Sequence, residues 1–189
     1  MMRLLIMGPP GAGKGTQAAL IAERHSIPAI STGDIFRANV SEGTELGVEA
    51  KSYIDAGDYV PDSVTNNMVR QRLGESDAAD GFLLDGYPRT VSQVEFLDGI
   101  LNEQGVALDR VIELSVDPEE IVGRLLQRAR EEGRLDDTED VLRHRQKVYT
   151  EQTAPLIDVY RDRGIHVTVD GMGSVDEVAA RVAAAVETS

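Results

Sequence analysis

Five short apolar runs, separated by stretches of helical periodicity, restrict what this chain can fold into more than any other feature. The runs are Arg3–Met7, Ala29–Ser31 (the weakest), Phe82–Asp85, 111–116 and 166–169. Each is too short for a buried helix and is apolar at consecutive positions, as strands covered on both faces are. Between and after them, Lys14–His25, Val91–Glu103, 118–130, 138–163 and Val175–Glu187 carry apolar residues three and four apart. Alternation of strand and helix demands crossover connections, so the expectation is an α/β fold in three layers, a five-stranded parallel sheet flanked by helices. Pro118 suits a first helical turn after Asp117, whereas Pro155 is expected to kink or break its long pattern near Thr153. Residues 33–74 are helical in pattern without a strand signal, which marks an insertion between the second and third strands. Residues 128–137 are highly charged and are expected to be irregular.

At 189 residues the chain is expected to be a single domain, with core 1–30, 61–127 and 138–189. It has no cysteine, which excludes disulfides, a thiol nucleophile and a thiolate zinc site. No apolar run reaches the roughly 20 residues of a membrane helix. The first residues lack the long apolar stretch and small-residue cleavage site of a signal peptide, so a cytoplasmic protein is expected. With 33 acidic residues against 19 basic ones, the net charge of −14 argues against nucleic acid or an anionic membrane as partner. Lysines occur only at 14, 51 and 147, so most of the basic residues are arginine, the better residue for bidentate phosphate contacts. A genome rich in G and C accounts for that bias equally well. The positions of particular arginines therefore carry more weight than their number.

Gly8-Pro9-Pro10-Gly11-Ala12-Gly13-Lys14 fits the pattern G-x-x-x-x-G-K, between a strand and a helix. That is the setting in which glycines bring backbone N–H groups to phosphate oxygens, the helix dipole favours the anion and the lysine adds a point charge. Such a loop implies a fold of the P-loop NTPase type. Thr16 follows one residue later than in the simplest form of the motif, still within the first turn, where its hydroxyl reaches a magnesium ion. Asp85 ends an apolar strand, the arrangement by which an acid beside such a loop holds magnesium through water.

Three further segments are Ser31-Thr32-Gly33-Asp34-Ile35-Phe36-Arg37, Asp85-Gly86-Tyr87-Pro88-Arg89-Thr90 and Gly133-Arg134-Leu135-Asp136-Asp137. With GPPGAGKGTQ at 8–17 they resemble the adenylate kinases, in order and spacing, over nearly the whole chain. The resemblance implies reversible, magnesium-dependent phosphoryl transfer, ATP + AMP giving two ADP, by a cytoplasmic monomer serving adenine nucleotide homeostasis. It also implies roles. Gly11, Ala12, Gly13, Lys14, Gly15 and Thr16 would hold the ATP phosphates, with Arg124 on the adenine, Arg128 on phosphate and Gly173 at the base. Thr32, Arg37, Asp58, Tyr59, Val60, Gly86, Tyr87, Pro88, Arg89 and Gln93 would hold AMP, Asp58 through its backbone. Arg134 and Arg145 would bridge the two nucleotides, and Lys14, Arg89, Arg134 and Arg145 would be catalytic. Residues 31–60 would be a mobile AMP-binding insertion and 128–137 a short lid without structural zinc.

The residues suit that chemistry. Two polyanions must be brought together, and Lys14, Arg37, Arg89, Arg128, Arg134 and Arg145 supply cations to spread the charge of the transferring group. A phosphate acceptor is already largely ionised at neutral pH, so no general base is required. Two rivals are a pyrimidine nucleoside monophosphate kinase, disfavoured by Thr32 and Gln93, and a nucleotide-binding protein without turnover, disfavoured by retention of the arginines. Arg143-His144-Arg145 is compatible with a solvated helix face as well as with the site. His25, His144 and His166 are too scattered to suggest a metal site.

Overall fold

The computed structural model describes residues 2–133 and 138–187. Its sheet has five parallel strands, β1 (Arg3–Met7), β2 (Ala29–Ser31), β3 (Phe82–Asp85), β4 (Arg110–Ser115) and β5 (His166–Asp170), in the order β2-β3-β1-β4-β5. The register sets Ile6 beside Asp85 on one side and beside Ile112 on the other. Alternate residues along each strand serve opposite layers, as the pleat requires. Leu4, Ile6, Leu83, Ile112 and Leu114 pack on α1 (Lys14–His25) and α9 (Val175–Glu187). Leu5, Met7, Phe82, Leu84 and Val111 belong to the opposite core, with α4 (Asp62–Leu73), α5 (Val91–Glu103) and α8 (Leu156–Asp162). Burial on both faces explains why the strands read as continuous apolar runs.

After β2 the chain makes two helices, α2 (Thr32–Glu42) and α3 (Glu45–Ala56), before α4. Their starts are set locally: Ser31 Oγ accepts from the Asp34 N–H and Thr44 Oγ1 from the Gly47 N–H. The two helices approach so closely that a Cβ on Gly47 would lie 2.1 Å from the Asn39 carbonyl oxygen. α4, although part of the strandless stretch, puts Met68, Val69 and Leu73 into the main core.

One boundary differs from expectation in an informative way. α6 (Pro118–Glu132) continues through residues expected to be irregular, because Arg, Gln and Glu are good helix formers and Gln127 Nε2 reaches Glu131 Oε1 one turn on, at 2.7 Å. Arg134, Leu135, Asp136 and Asp137 lie outside the described residues. The long pattern after Thr138 does break as Pro155 demands. α7 (Glu139–Val148) gives way to a π-helical turn, Tyr149–Thr153, in which the Ala154 N–H bonds back to the Tyr149 carbonyl at 2.9 Å, before α8 starts beyond the proline. Among the described residues no helix is long and apolar enough to cross a membrane.

Leu84 is fully buried in the central sheet, whereas Val48 is 70% exposed on α3. Leu84→Ala is expected to cost about 3 kcal/mol of unfolding free energy through lost transfer energy and an unfilled cavity, and Val48→Ala under about 0.5 kcal/mol. Urea unfolding of the two variants checks the contrast.

Candidate active site

β1 and β3 are neighbours, yet the chain leaves β1 toward one edge of the sheet and β3 toward the other. Such a divergence opens a crevice beyond the carboxyl ends of the strands, where open α/β sheets hold ligands. Here the crevice is a cleft of about 920 Å³. The phosphate loop forms its floor. Gly13 caps α1 with φ 88°, a left-handed conformation that favours glycine, and α1 has neither a side-chain cap nor an acid in its first turn. Its first N–H groups are thus offered to an anion. Lys14 Nζ folds over the loop and donates to the carbonyls of Gly8 (2.9 Å) and Pro9 (3.1 Å). Burial lowers this ammonium from 10.5 to about 8; the nearby Asp85 charge opposes the shift, and Arg89 and Arg128 add to it.

The second wall is built from α2, the turn after β3 and the start of α5. Thr32 Oγ1 donates to the Gly86 carbonyl at 2.9 Å, and Arg89 Nε donates to the same oxygen at 2.7 Å. Gly86 has φ 80°, and a Cβ there would come within 2.8 Å of both Thr32 Oγ1 and Arg89 Nη2. The Arg89 guanidinium stacks over the Tyr59 ring, 5.0 Å from its centroid. Arg37 pairs with Asp34 at 2.6 Å. Tyr87 is among the residues lining the cleft and is joined to Pro88 by a cis bond; its hydroxyl donates to Asn66 Oδ1 at 2.7 Å in the core, where burial pushes the phenol well up. Gln93 is 1% exposed; its Nε2 donates to Asp62 Oδ1 at 2.8 Å, and its Oε1 accepts the Arg89 N–H at 2.7 Å.

Arg124 and Arg128 from α6 and Arg145 from α7 complete the lining. Arg124 lies 3.6 Å from Glu120 one turn earlier, and Arg145 Nη2 donates to the Ile54 carbonyl at the end of α3, at 3.2 Å. Of the triplet Arg143-His144-Arg145, Arg143 is the solvated member, paired with Glu139 at 2.7 Å. His144 Nε2 meets Asp58 Oδ1 at 2.6 Å. That contact occupies the Asp58 side chain, and Asp58, Tyr59 and Val60 all line the cleft.

The cleft therefore unites the expected residues of the loop, Thr16, Asp85, the segment 58–60, Gly86–Arg89 and the arginines at 37, 89, 124, 128 and 145. Ala12 and Gly173 are not among the lining residues; Ala12 is buried in the core, and Val175 rather than Gly173 reaches the cleft. Arg134 lies outside the described residues. Sequence reasoning missed Asp62, Thr153 and Gln146. Asp62 holds Gln93, Thr153 Oγ1 donates to the Arg89 carbonyl at 2.9 Å and meets the Tyr59 hydroxyl at 2.6 Å, and Gln146 Nε2 donates to the Pro10 carbonyl at 2.8 Å. Asp62 reads in sequence as an ordinary first-turn acid. Thr153 had a signal, the helix break, because π-helical turns recur at functional sites.

Among the described residues no group of three or more acids or histidines is placed to hold a metal by itself. Asp85 Oδ2 nevertheless sits 3.8 Å from where a Cβ on Gly15 would stand, next to Thr16. One carboxylate and one hydroxyl at a phosphate loop fit a magnesium ion that arrives on nucleotide phosphates and keeps much of its own water.

Residues 6–165 match the family model described as adenylate kinase. The chain belongs to the adenylate kinase family. It is 70% identical over 181 residues to an adenylate kinase of Nocardioides sp., covering 96% of this chain and 95% of that protein. The adenylate kinase of Kocuria rhizophila is 66% identical over 99% of this chain and 100% of its own, and that of Leifsonia xyli subsp. xyli 61% over 96% and 92%. Membership of the adenylate kinase family makes the chain a phosphotransferase, and the cleft just described is where an adenylate kinase fold concentrates its cations.

A bound polyphosphate favours the charged form of Lys14, whose ammonium titrates near 8 in the free protein. Binding of a nucleoside triphosphate at about pH 9 is therefore expected to take up close to one proton per site, and at about pH 6.5 almost none, with affinity falling as pH rises through about 8. Calorimetry in buffers of different ionisation enthalpy measures this uptake, and Lys14→Met is expected to abolish it.

Proposed function

We propose that the cleft holds ATP on the phosphate loop and AMP against Thr32, Arg37, the backbone of 58–60, Gly86–Arg89 and Gln93, and passes the terminal phosphoryl group between them. The bond from the γ-phosphorus to the β,γ-bridging oxygen breaks, an AMP phosphate oxygen forms the new bond, and two ADP result. The reaction runs equally in reverse. The observation that carries this reading is the convergence of Lys14, Arg37, Arg89, Arg124, Arg128 and Arg145 on one cleft. Like-charged nucleotides repel, so only a site with cations on several sides can juxtapose them and stabilise the transferring group.

Within that scheme Lys14 and the N–H groups of 11–16 bind the donor phosphates, and Arg128 adds to them. Arg124 lies against the donor base. Arg37 and Arg89 bind the acceptor phosphate, and Arg145, reaching in from α7, lies between donor and acceptor with Arg134 as its expected companion. Arg89 is held at three points, by the Gly86 carbonyl, the Tyr59 ring and the Thr153 hydroxyl on its own carbonyl, so its guanidinium is oriented before substrate arrives. Among the described residues no histidine lines the cleft. None is needed, because the acceptor phosphate is already ionised. Thr16, and Asp85 through water, would hold a magnesium ion carried on the nucleotide, which would supply charge neutralisation at the phosphates.

The protein works in the cytoplasm, as a monomer, on adenine nucleotides and without nucleic acid or membrane partners. The net charge of −14 supports the last point.

With magnesium and ATP, AMP is expected to be phosphorylated far faster than CMP or UMP, and phosphate release from ATP alone to be negligible beside the transfer. A Lys14→Ala variant is expected to lose about 10²–10³-fold in kcat. A coupled assay measures all three quantities. Equal use of CMP, or full activity in the lysine variant, would refute the assignment.

A further inference from the structure

Gln93 is an uncharged side chain of the cleft whose donor and acceptor are both already engaged by groups that cannot exchange roles. A carboxamide alone has no preferred orientation, since its oxygen and nitrogen ends have nearly the same shape. Here its nitrogen end donates to a carboxylate oxygen of Asp62 (2.8 Å) and its oxygen end accepts from the Arg89 N–H (2.7 Å). A carboxylate only accepts and a backbone N–H only donates. Turning the amide over would set oxygen against oxygen and hydrogen against hydrogen in a side chain that is itself only 1% exposed. Asp62 is itself fixed: Thr90 Oγ1 lies 3.1 Å from each of its carboxylate oxygens, and that hydroxyl also caps α5 by accepting the Gln93 N–H at 3.2 Å. Asp62 is not among the residues lining the cleft, so it acts through Gln93.

With those bonds made, the amide keeps one hydrogen on Nε2 and one lone pair on Oε1. We propose that Asp62 is a positioning residue that sets acceptor specificity: it locks the Gln93 amide so that the free donor and acceptor match a 6-aminopurine and oppose a 6-oxopurine. The proposal rests on the assignment of this wall to AMP. Adenine presents a 6-amino donor beside an N1 acceptor, which Oε1 and Nε2–H complement. A 6-oxopurine presents a 6-oxo acceptor beside an N1–H donor, the reverse order, and an amide free to turn would accept it equally well. A polar site of fixed polarity discriminates strongly because the mismatched ligand leaves buried groups unpaired.

Two measurements test this with the full chain. In the wild-type protein, kcat/KM is expected to fall in the order AMP, purine riboside monophosphate, IMP. The second acceptor lacks only the 6-amino group and keeps the N1 acceptor, whereas IMP meets two like-with-like contacts. IMP used as well as purine riboside monophosphate would mean a freely turning amide and would overturn the proposal without any variant. In Asp62→Asn, which can turn its own amide to meet either end of Gln93, the AMP-to-IMP ratio of kcat/KM is expected to shrink about 10- to 100-fold. The change should appear chiefly as a raised KM for AMP, with kcat and the KM for ATP little altered. A merely structural role for Asp62 would lower both acceptors together and leave the ratio fixed, which would also overturn the proposal. Wild-type protein that phosphorylates no purine monophosphate would defeat the AMP assignment itself, a result distinct from either of these.

Discussion

The parallel pairing of β1 with β3 is the constraint on which the site depends. Its register puts Ile6 beside Asp85, so the phosphate loop that follows Met7 and the carboxylate that ends β3 emerge side by side. The chain then leaves the two strands in opposite directions, which opens the cleft above them. Every other functional group is placed relative to that pair: α2 and the turn after β3 on one side, α6 and α7 on the other. The strands hold position because Leu4, Leu5, Leu83 and Leu84 are fully buried between two layers of helices. A shift of one residue would exchange the layers these side chains serve and carry Asp85 away from the loop.

A cleft lined by six cations has to keep them from repelling one another before any anion arrives. The structure does so with short, local partners that do not fill the cleft. Lys14 rests on two loop carbonyls, Arg37 on Asp34, Arg89 on the Gly86 carbonyl and the Tyr59 ring, and Arg145 on the carbonyl at the end of α3. A polyphosphate in the cleft would compete with these partners for the same cations. The lowered pKa of Lys14 has the same origin, an ammonium out of water beside other cations, and it is the cost of presenting a desolvated charge to the substrate. Arg145 and His144 also tie α7 to the end of the α2–α3 insertion, through the Ile54 carbonyl and the Asp58 carboxylate.

Most of the fold was legible in sequence for a physical reason. Strands buried on both faces are short continuous apolar runs, and α1, α5 and α9 carry clear helical spacing, so their bounds coincide with those read from the pattern. The end of α6 was not legible, since a charged run looks the same in a solvated helix as in a loop, and only the i to i+4 contact of Gln127 with Glu131 separates them. In the site, the loop, Asp85, Thr32 and the arginines carried local signatures of spacing or position. Asp62 did not, because it acts on a residue 31 positions away through a hydrogen bond that only the packed structure creates, and the helix break that marked Thr153 did not reveal its bond to Arg89, 64 positions away. Tyr87 and Asp58 show a related limit. Sequence places them at the cleft, but only the structure shows that the Asp58 carboxylate meets His144 and the Tyr87 hydroxyl meets Asn66.

The central claim is that a single cleft holds two nucleotides with the transferring group between them, and ADP alone tests it most directly, since the same molecule must then occupy both sides. Phosphorus NMR of the protein with ADP and magnesium is predicted to show ATP and AMP appearing in equal amounts until equilibrium, with no free phosphate. Release of inorganic phosphate in place of ATP, or no change in the ADP signals, would contradict the account.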